Sequence, residues 1–153
     1  MGFLKDYKIF IILIILIIIW ALVLASSFLA REQKFGELRI NEKSIKVEIV
    51  SGSRDTYRGL SGRESLCTNC GMLFDFKKSQ EYSFVMREMN FPLDIVFILN
   101  NRIVNIYENL PPEGKDYSKI YRSAGLADTV LELNANFCRD FKIKVGDQIN
   151  FLE

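Results

Sequence analysis

The sequence predicts a mainly β protein: a compact β-sandwich or barrel-like domain with one or two short helices, preceded by one N-terminal transmembrane helix. Three observations lead there. Residues 9–30 are almost wholly apolar and carry no charge. After them come short runs rich in β-branched and aromatic residues, several alternating with period two. Turn-forming Asn, Gly and Pro residues separate those runs every ten residues or so.

Length and composition bound the rest. The 153 residues suit one domain plus an added segment. Lys plus Arg number 20 against 19 Asp plus Glu, a net charge of +1, so no strong basic excess is available and nucleic acid is not an expected partner. The chain has no histidine, which excludes Ser-His and Cys-His dyads and imidazole metal ligands.

The N-terminal organisation is read as a short tail over 1–8, a membrane anchor over 9–30 and a charged tether over 31–43. A helix through the anchor, at about 1.5 Å per residue, spans the roughly 30 Å hydrocarbon layer. Lys5 and Lys8 flank one end, Arg31 and Lys34 the other. A cleaved signal peptide is the alternative, with Ala25-Ser26-Ser27 as its site, although the apolar run exceeds the usual signal length. Lys and Arg on both sides leave the orientation to the long C-terminal domain, whose translocation outward is expected.

The globular domain is read over 44–153. Ile45, Val47 and Ile49 alternate with Lys46 and Glu48, a half-buried strand. Ser53 is expected to cap a short helix with Asp55 in its first turn, and Gly59 to close it. Short strands follow at 71–74 and 82–86. Residues 93–99 are apolar except for Asp94 and predict a central strand covered on both faces. Asn100-Asn101 tolerates positive φ, so a tight hairpin should lead into a strand over 102–107. Residues 108–118, with Pro111-Pro112, predict an exposed loop. A strand at 129–133, a short helix capped by Asn136 with Phe137 and Phe141 on one face, a turn at Gly146-Asp147 and a last strand at 148–152 complete the domain.

Few residues offer chemistry. Cys67-Thr68-Asn69-Cys70 reads as a local disulfide if the domain lies outside the cytoplasm. A redox pair would want a helix start within a βαβ unit, and a zinc site would want a fourth ligand. Cys138 beside Phe137 and Phe141 reads as a small buried apolar residue. Met72, Met86 and Met89 sit among apolar residues and read as core filling rather than soft-metal ligands. Gly59-Leu60-Ser61-Gly62 lacks the Lys-Ser/Thr ending of a phosphate-binding loop. No metal or cofactor is expected. Asp94, a carboxylate in an apolar strand, must be hydrogen-bonded or paired. It either fixes a turn or pairs with an arginine, or it forms an anion-and-acid pocket with Arg58, Arg63 and Arg87.

Several segments together resemble the domain of unknown function 192 family. They are Tyr57-Arg58-Gly59-Leu60 with Arg63-Glu64-Ser65-Leu66, Gly71-Met72-Leu73-Phe74-Asp75-Phe76, Ser83-Phe84-Val85-Met86-Arg87, Pro92-Leu93-Asp94-Ile95-Val96-Phe97-Ile98 and Ile143-Lys144-Val145-Gly146-Asp147. The family pattern often has Trp where Val85 stands and a Lys-Asn-Thr-like stretch where Arg87-Glu88-Met89 stands. The resemblance implies a compact, mainly β domain, often exported or anchored, and supplies no activity.

The resulting expectation is a membrane-tethered, extracytoplasmic, non-catalytic module. It would hold the bilayer through residues 9–30 and bind an unknown envelope component or protein. The alternative is a small-ligand or enzyme site for an anionic substrate centred on Asp94 with Arg58, Arg63 and Arg87.

Overall fold

A computed structural model describes residues 3–29 and 34–152. It divides into an N-terminal unit and a unit that begins at Lys34. The first holds one helix, α1 (Phe3–Leu29). Its Ile, Leu and Val side chains are exposed throughout 9–24. Among the described residues no helix is long and apolar enough to cross a membrane. The stretch with described side chains, 9–24, rises only about 24 Å at 1.5 Å per residue, short of the roughly 30 Å hydrocarbon layer. The structure therefore supplies a helix where an anchor was expected, without establishing a transmembrane span.

In the second unit the strands are β1 (Lys34–Ile40), β2 (Lys43–Val50), β3 (Cys70–Gln80), β4 (Ser83–Phe84), β5 (Leu93–Leu99), β6 (Arg102–Leu110), β7 (Tyr121–Arg122), β8 (Ala127–Asn134) and β9 (Ile149–Leu152). Two short helices, α2 (Ser53–Arg58) and α3 (Phe137–Asp140), interrupt them. Seven strands form one sheet in the order β6-β5-β8-β3-β2-β1-β9, and β4 pairs with β7 separately. All pairings are antiparallel except β2 with β3, which the crossover through α2 joins in parallel.

The sheet curls into a half-barrel rather than splitting into a sandwich. Its two edge strands meet at one end: Arg102 bridges Gln148, Ile149 N–H donates to the Asn101 carbonyl at 2.8 Å, and Ile103 N–H donates to that of Asp147 at 3.0 Å. The concave side gathers buried residues from all seven strands, including Leu38, Ile45, Leu73, Val96, Ile103, Leu131 and Ile149, together with α3. The convex side carries a second core under α2, β4 and β7, built on Met72, Phe74, Ile95, Phe97 and Val130. Burial on both faces explains why β5 is a nearly continuous apolar run.

Several expectations need correction. Residues 34–40 are not a tether, since β1 pairs with both β2 and β9 and buries Leu38 and Ile40 completely. Its charges alternate on the outer face and mask the period-two pattern. Residues 31–33 of that tether lie outside the described residues. Ser53 does not cap α2: Gly52 holds the N-cap position, with no side-chain bond. Asn136 does take the N-cap position of α3, but at φ 66° and with no side-chain bond of its own. The cap comes instead from Asp94 on β5, described below. β3 and β6 run further than expected because pairing resumes beyond irregular stretches, at Gln80 after the shift from Asp75 and at Leu110 after the shift between Ile95 and Leu93. The Asn100-Asn101 hairpin forms with φ of 50° and 60°.

One close approach fixes a glycine. At Gly71 a Cβ would lie 2.9 Å from Leu131 Cδ1 and 3.0 Å from the Glu132 carbonyl oxygen, where β3 meets β8.

Candidate functional site

The convex face carries a cavity of about 860 Å³ between α2, the start of the α2–β3 loop, β3 and β4. Its apolar part is an aromatic cluster. Phe76 stacks on Tyr82 at 3.9 Å between centroids, and Phe84 meets Phe74 edge-on at 5.0 Å and Phe97 at 6.0 Å. β3 supplies Phe74 and Phe76 because alternate residues share a face. The rim is basic, with Arg58, Lys77, Lys78 and Arg87, although Lys77 pairs with Asp75 at 2.5 Å and Arg87 with Glu88 at 4.0 Å.

Arg87 organises one side of the rim. Its guanidinium lies 4.0 Å from the Tyr57 ring centre and donates to the Tyr57 carbonyl at 2.8 Å. Ser61 in turn donates its hydroxyl to the Arg87 carbonyl at 2.8 Å. Together these bonds fasten the end of α2 to the segment after β4. Gly59 closes α2 at φ 51° and ψ −132°, a conformation that requires glycine.

The polar group inside the cavity is Glu132 of β8. It is only 5% exposed, and its Oε2 is buried without a hydrogen-bond partner. A Cβ placed on Gly59 would lie 3.8 Å from that oxygen, so the Gly59 backbone forms the wall beside the carboxyl. Glu132 occupies one position in a cross-strand row, Glu48–Met72–Glu132–Ile95–Tyr107, on the convex face. Burial pushes its carboxyl up to about 8, and the positive charge of Arg63 only partly opposes this.

The structure separates the four residues expected to form one site. Arg58 and Arg87 do line the cavity. Arg63 instead binds Glu48 through Nη2, at 2.8 and 3.0 Å from the two carboxylate oxygens, which ties the α2–β3 loop to β2. Asp94 sits on the other face of the sheet and is fully buried. Its Oδ1 accepts from the backbone N–H of Asn109 at 2.8 Å and of Asn136 at 2.9 Å, and its Oδ2 accepts from that of Cys138 at 2.8 Å. The Asn136 and Cys138 bonds cap α3, and the Asn109 bond satisfies a donor that the bulge in β6 removes from the ladder. A carboxylate used this way is a strut, not the centre of an anion pocket.

Cys67 and Cys70 are joined by a disulfide, with 5.2 Å between their Cα atoms. Cys138 is a buried free thiol whose pKa is raised by burial and by the adjacent Asp94 carboxylate. Among the described residues no three His, Cys, Asp or Glu side chains converge to hold a metal ion.

Sequence reasoning missed Glu132 and the aromatic cluster. The signal for Glu132 was present: one carboxylate inside the apolar strand Val130-Leu131-Glu132-Leu133, the same feature that singled out Asp94. The sequence did not reveal that the two acids point to opposite faces, one satisfied and the other not.

Comparison with known proteins covers nearly all of this unit. The sequence profile DUF192, described as "Uncharacterized ACR", matches residues 36–151. A Sinorhizobium meliloti 1021 protein, described as a proposed transcription regulator, superposes with a TM-score of 0.73 at 26% identity, over 78% of this chain and 95% of its own. A protein of unknown function from Novosphingobium aromaticivorans DSM 12444 superposes with a TM-score of 0.72 at 26% identity, over 79% of this chain and 88% of its own. No curated protein matches the sequence.

Proposed function

This chain belongs to the DUF192 family, and on that premise we propose that it is a membrane-tethered, non-catalytic binding module whose ligand enters the convex-face cavity. The single observation that carries the reading is the cavity: about 860 Å³, with an aromatic floor and a basic rim that includes Arg58 and Arg87. Sites of this kind bury an apolar ligand body and orient it by a few polar groups. The rim favours a ligand with a negative end. The Ser61 hydroxyl at its edge is spent on a backbone carbonyl, and the chain has no histidine to activate a hydroxyl there.

The tethering part of the proposal rests on α1. Over residues 9–24 its side chains are apolar and exposed, Ile, Leu and Val with Phe10 and Trp20, a surface that fits burial in lipid. The Cys67–Cys70 disulfide favours an extracytoplasmic placement of the folded unit.

The test uses the full chain in lipid nanodiscs titrated with dansylglycine, a fluorescent aromatic carboxylate, with empty discs subtracted. Saturable binding that weakens several-fold in Arg58→Gln and Arg87→Gln supports the reading. Signal no greater than that of empty discs refutes it. An epitope tag after Glu153, lost to protease in intact spheroplasts, supports external placement, and survival until lysis refutes it.

A further inference from the structure

We propose that Glu132 is the recognition group of the cavity, and that it donates its proton in a hydrogen bond to the oxyanion of a carboxylate on an apolar or aromatic body. The inference rests on the binding reading above and names the ligand class. Its starting point is the unpartnered Oε2 of a side chain 5% exposed, facing a cavity instead of a protein donor. Buried polar atoms are almost always satisfied, and an unsatisfied one at a cavity wall fits a partner that arrives from outside.

The chemistry of that partner follows from what surrounds the carboxyl. The wall beside it is Phe74 and the backbone of Gly59. Around the cavity stand Tyr57 of α2, Asp75, Lys77 and Lys78 of β3, Tyr82 and Arg87, and three more groups lie on the elements packed against Glu132. Arg58 closes α2, Arg63 lies in the α2–β3 loop and is occupied by Glu48 of β2, and Tyr107 stands on β6 beyond Ile95. With no cation bonded to it, the buried carboxyl holds its proton at neutral pH. A protonated carboxyl is a donor, so the complementary ligand atom is an acceptor oxygen. The rim selects among acceptors, because Arg58 and Arg87 favour an anion and oppose a simple ammonium ion. A monoanionic carboxylate is preferred over a phosphate dianion, since charge moved onto a phenylalanine-lined wall is costly and the cost grows with charge. Hydrogen bonds between a neutral donor and an oxyanion are short and strong, which repays part of that cost.

The experiment follows dansylglycine binding to the full chain in nanodiscs from about pH 6 to about pH 9, beside dansylglycine methyl ester, which lacks the oxyanion. Affinity for the acid should fall about tenfold between pH 7 and pH 9 as the Glu132 proton is lost, and the ester should bind weakly at every pH. Glu132→Gln keeps a donor in the same place, so it should bind the acid with a flat profile. Glu132→Met, similar in volume without a donor, should lose about tenfold at pH 7, the usual worth of one such bond. A pH-independent wild type, or a Glu132→Met variant that binds as well as wild type, overturns the inference and leaves the cavity reading standing. Affinity that rises with pH and vanishes in Glu132→Gln also overturns it, in favour of a cationic ligand. Absence of binding by acid and ester alike removes the cavity reading itself. Displacement by dodecanoate or by 3-phenylpropionate separates a lipid-derived carboxylate from a small aromatic one.

Discussion

Glu132 should make the stability of the folded unit depend on pH in a way that one substitution removes. The carboxyl is wholly buried, and its pKa is pushed from the ordinary 4.5 up to about 8. At about 1.4 kcal/mol per pH unit, that difference corresponds to about 5 kcal/mol between the two protonation states. The folded state keeps a proton that the unfolded chain has already released. Folded molecules therefore bind more protons than unfolded ones between pH 4.5 and about 8, and stability falls as pH rises through that interval. The stabilising contribution is complete below the lower value and gone above the upper one. Glu132→Gln places an amide in the same space and does not titrate. The assay is urea unfolding of the full chain in mild detergent, followed by near-ultraviolet circular dichroism, for both proteins from about pH 4 to about pH 9. Wild-type stability minus variant stability should decline by about 3–5 kcal/mol across the range, the lower figure allowing for relaxation toward the cavity. A difference that stays constant within about 1 kcal/mol, or that rises with pH, would refute the argument that this carboxyl is buried without a compensating partner.

Other outcomes are expected on the opposite face and at the sheet centre. Asp94→Asn replaces one of two accepting oxygens with an amide that faces a backbone N–H, so it should cost about 1–3 kcal/mol in urea unfolding while leaving dansylglycine affinity unchanged. Lost binding at unchanged stability would contradict the placement of Asp94 away from the cavity. Gly71→Ala forces a methyl against Leu131 and the β8 backbone and should cost about 1–3 kcal/mol, seen as a lower urea midpoint; an unchanged midpoint would mean that β3 and β8 can separate cheaply. In the unreduced, denatured chain a maleimide should label Cys138 alone, with Cys67 and Cys70 joining only after a reductant is added. Labelling of all three before reduction would show that the disulfide does not form.

The mainly β class, the family and most strand positions were legible in the chain without its folded contacts. These depend on local signals: alternation at Ile45-Lys46-Val47, the apolar run of β5, and the asparagine pair that turns it into β6. The apolar N-terminal segment was legible too, since hydropathy over a contiguous stretch needs no partner. Only tertiary structure decided that the sheet curls and meets at its edges, because closure depends on the summed twist of strands far apart in sequence. It made β1 a strand, as pairing with β2 and β9 outweighs a charged local composition. It also decided the fates of the two acids. Asp94 and Glu132 look alike in sequence, each a lone carboxylate in an apolar strand. Their registers point one toward three backbone N–H groups above α3 and the other into a cavity with none. A side chain's face follows from period two, but what stands opposite that face is set by segments dozens of residues away, and that contact makes one acid a strut and leaves an oxygen of the other without a partner.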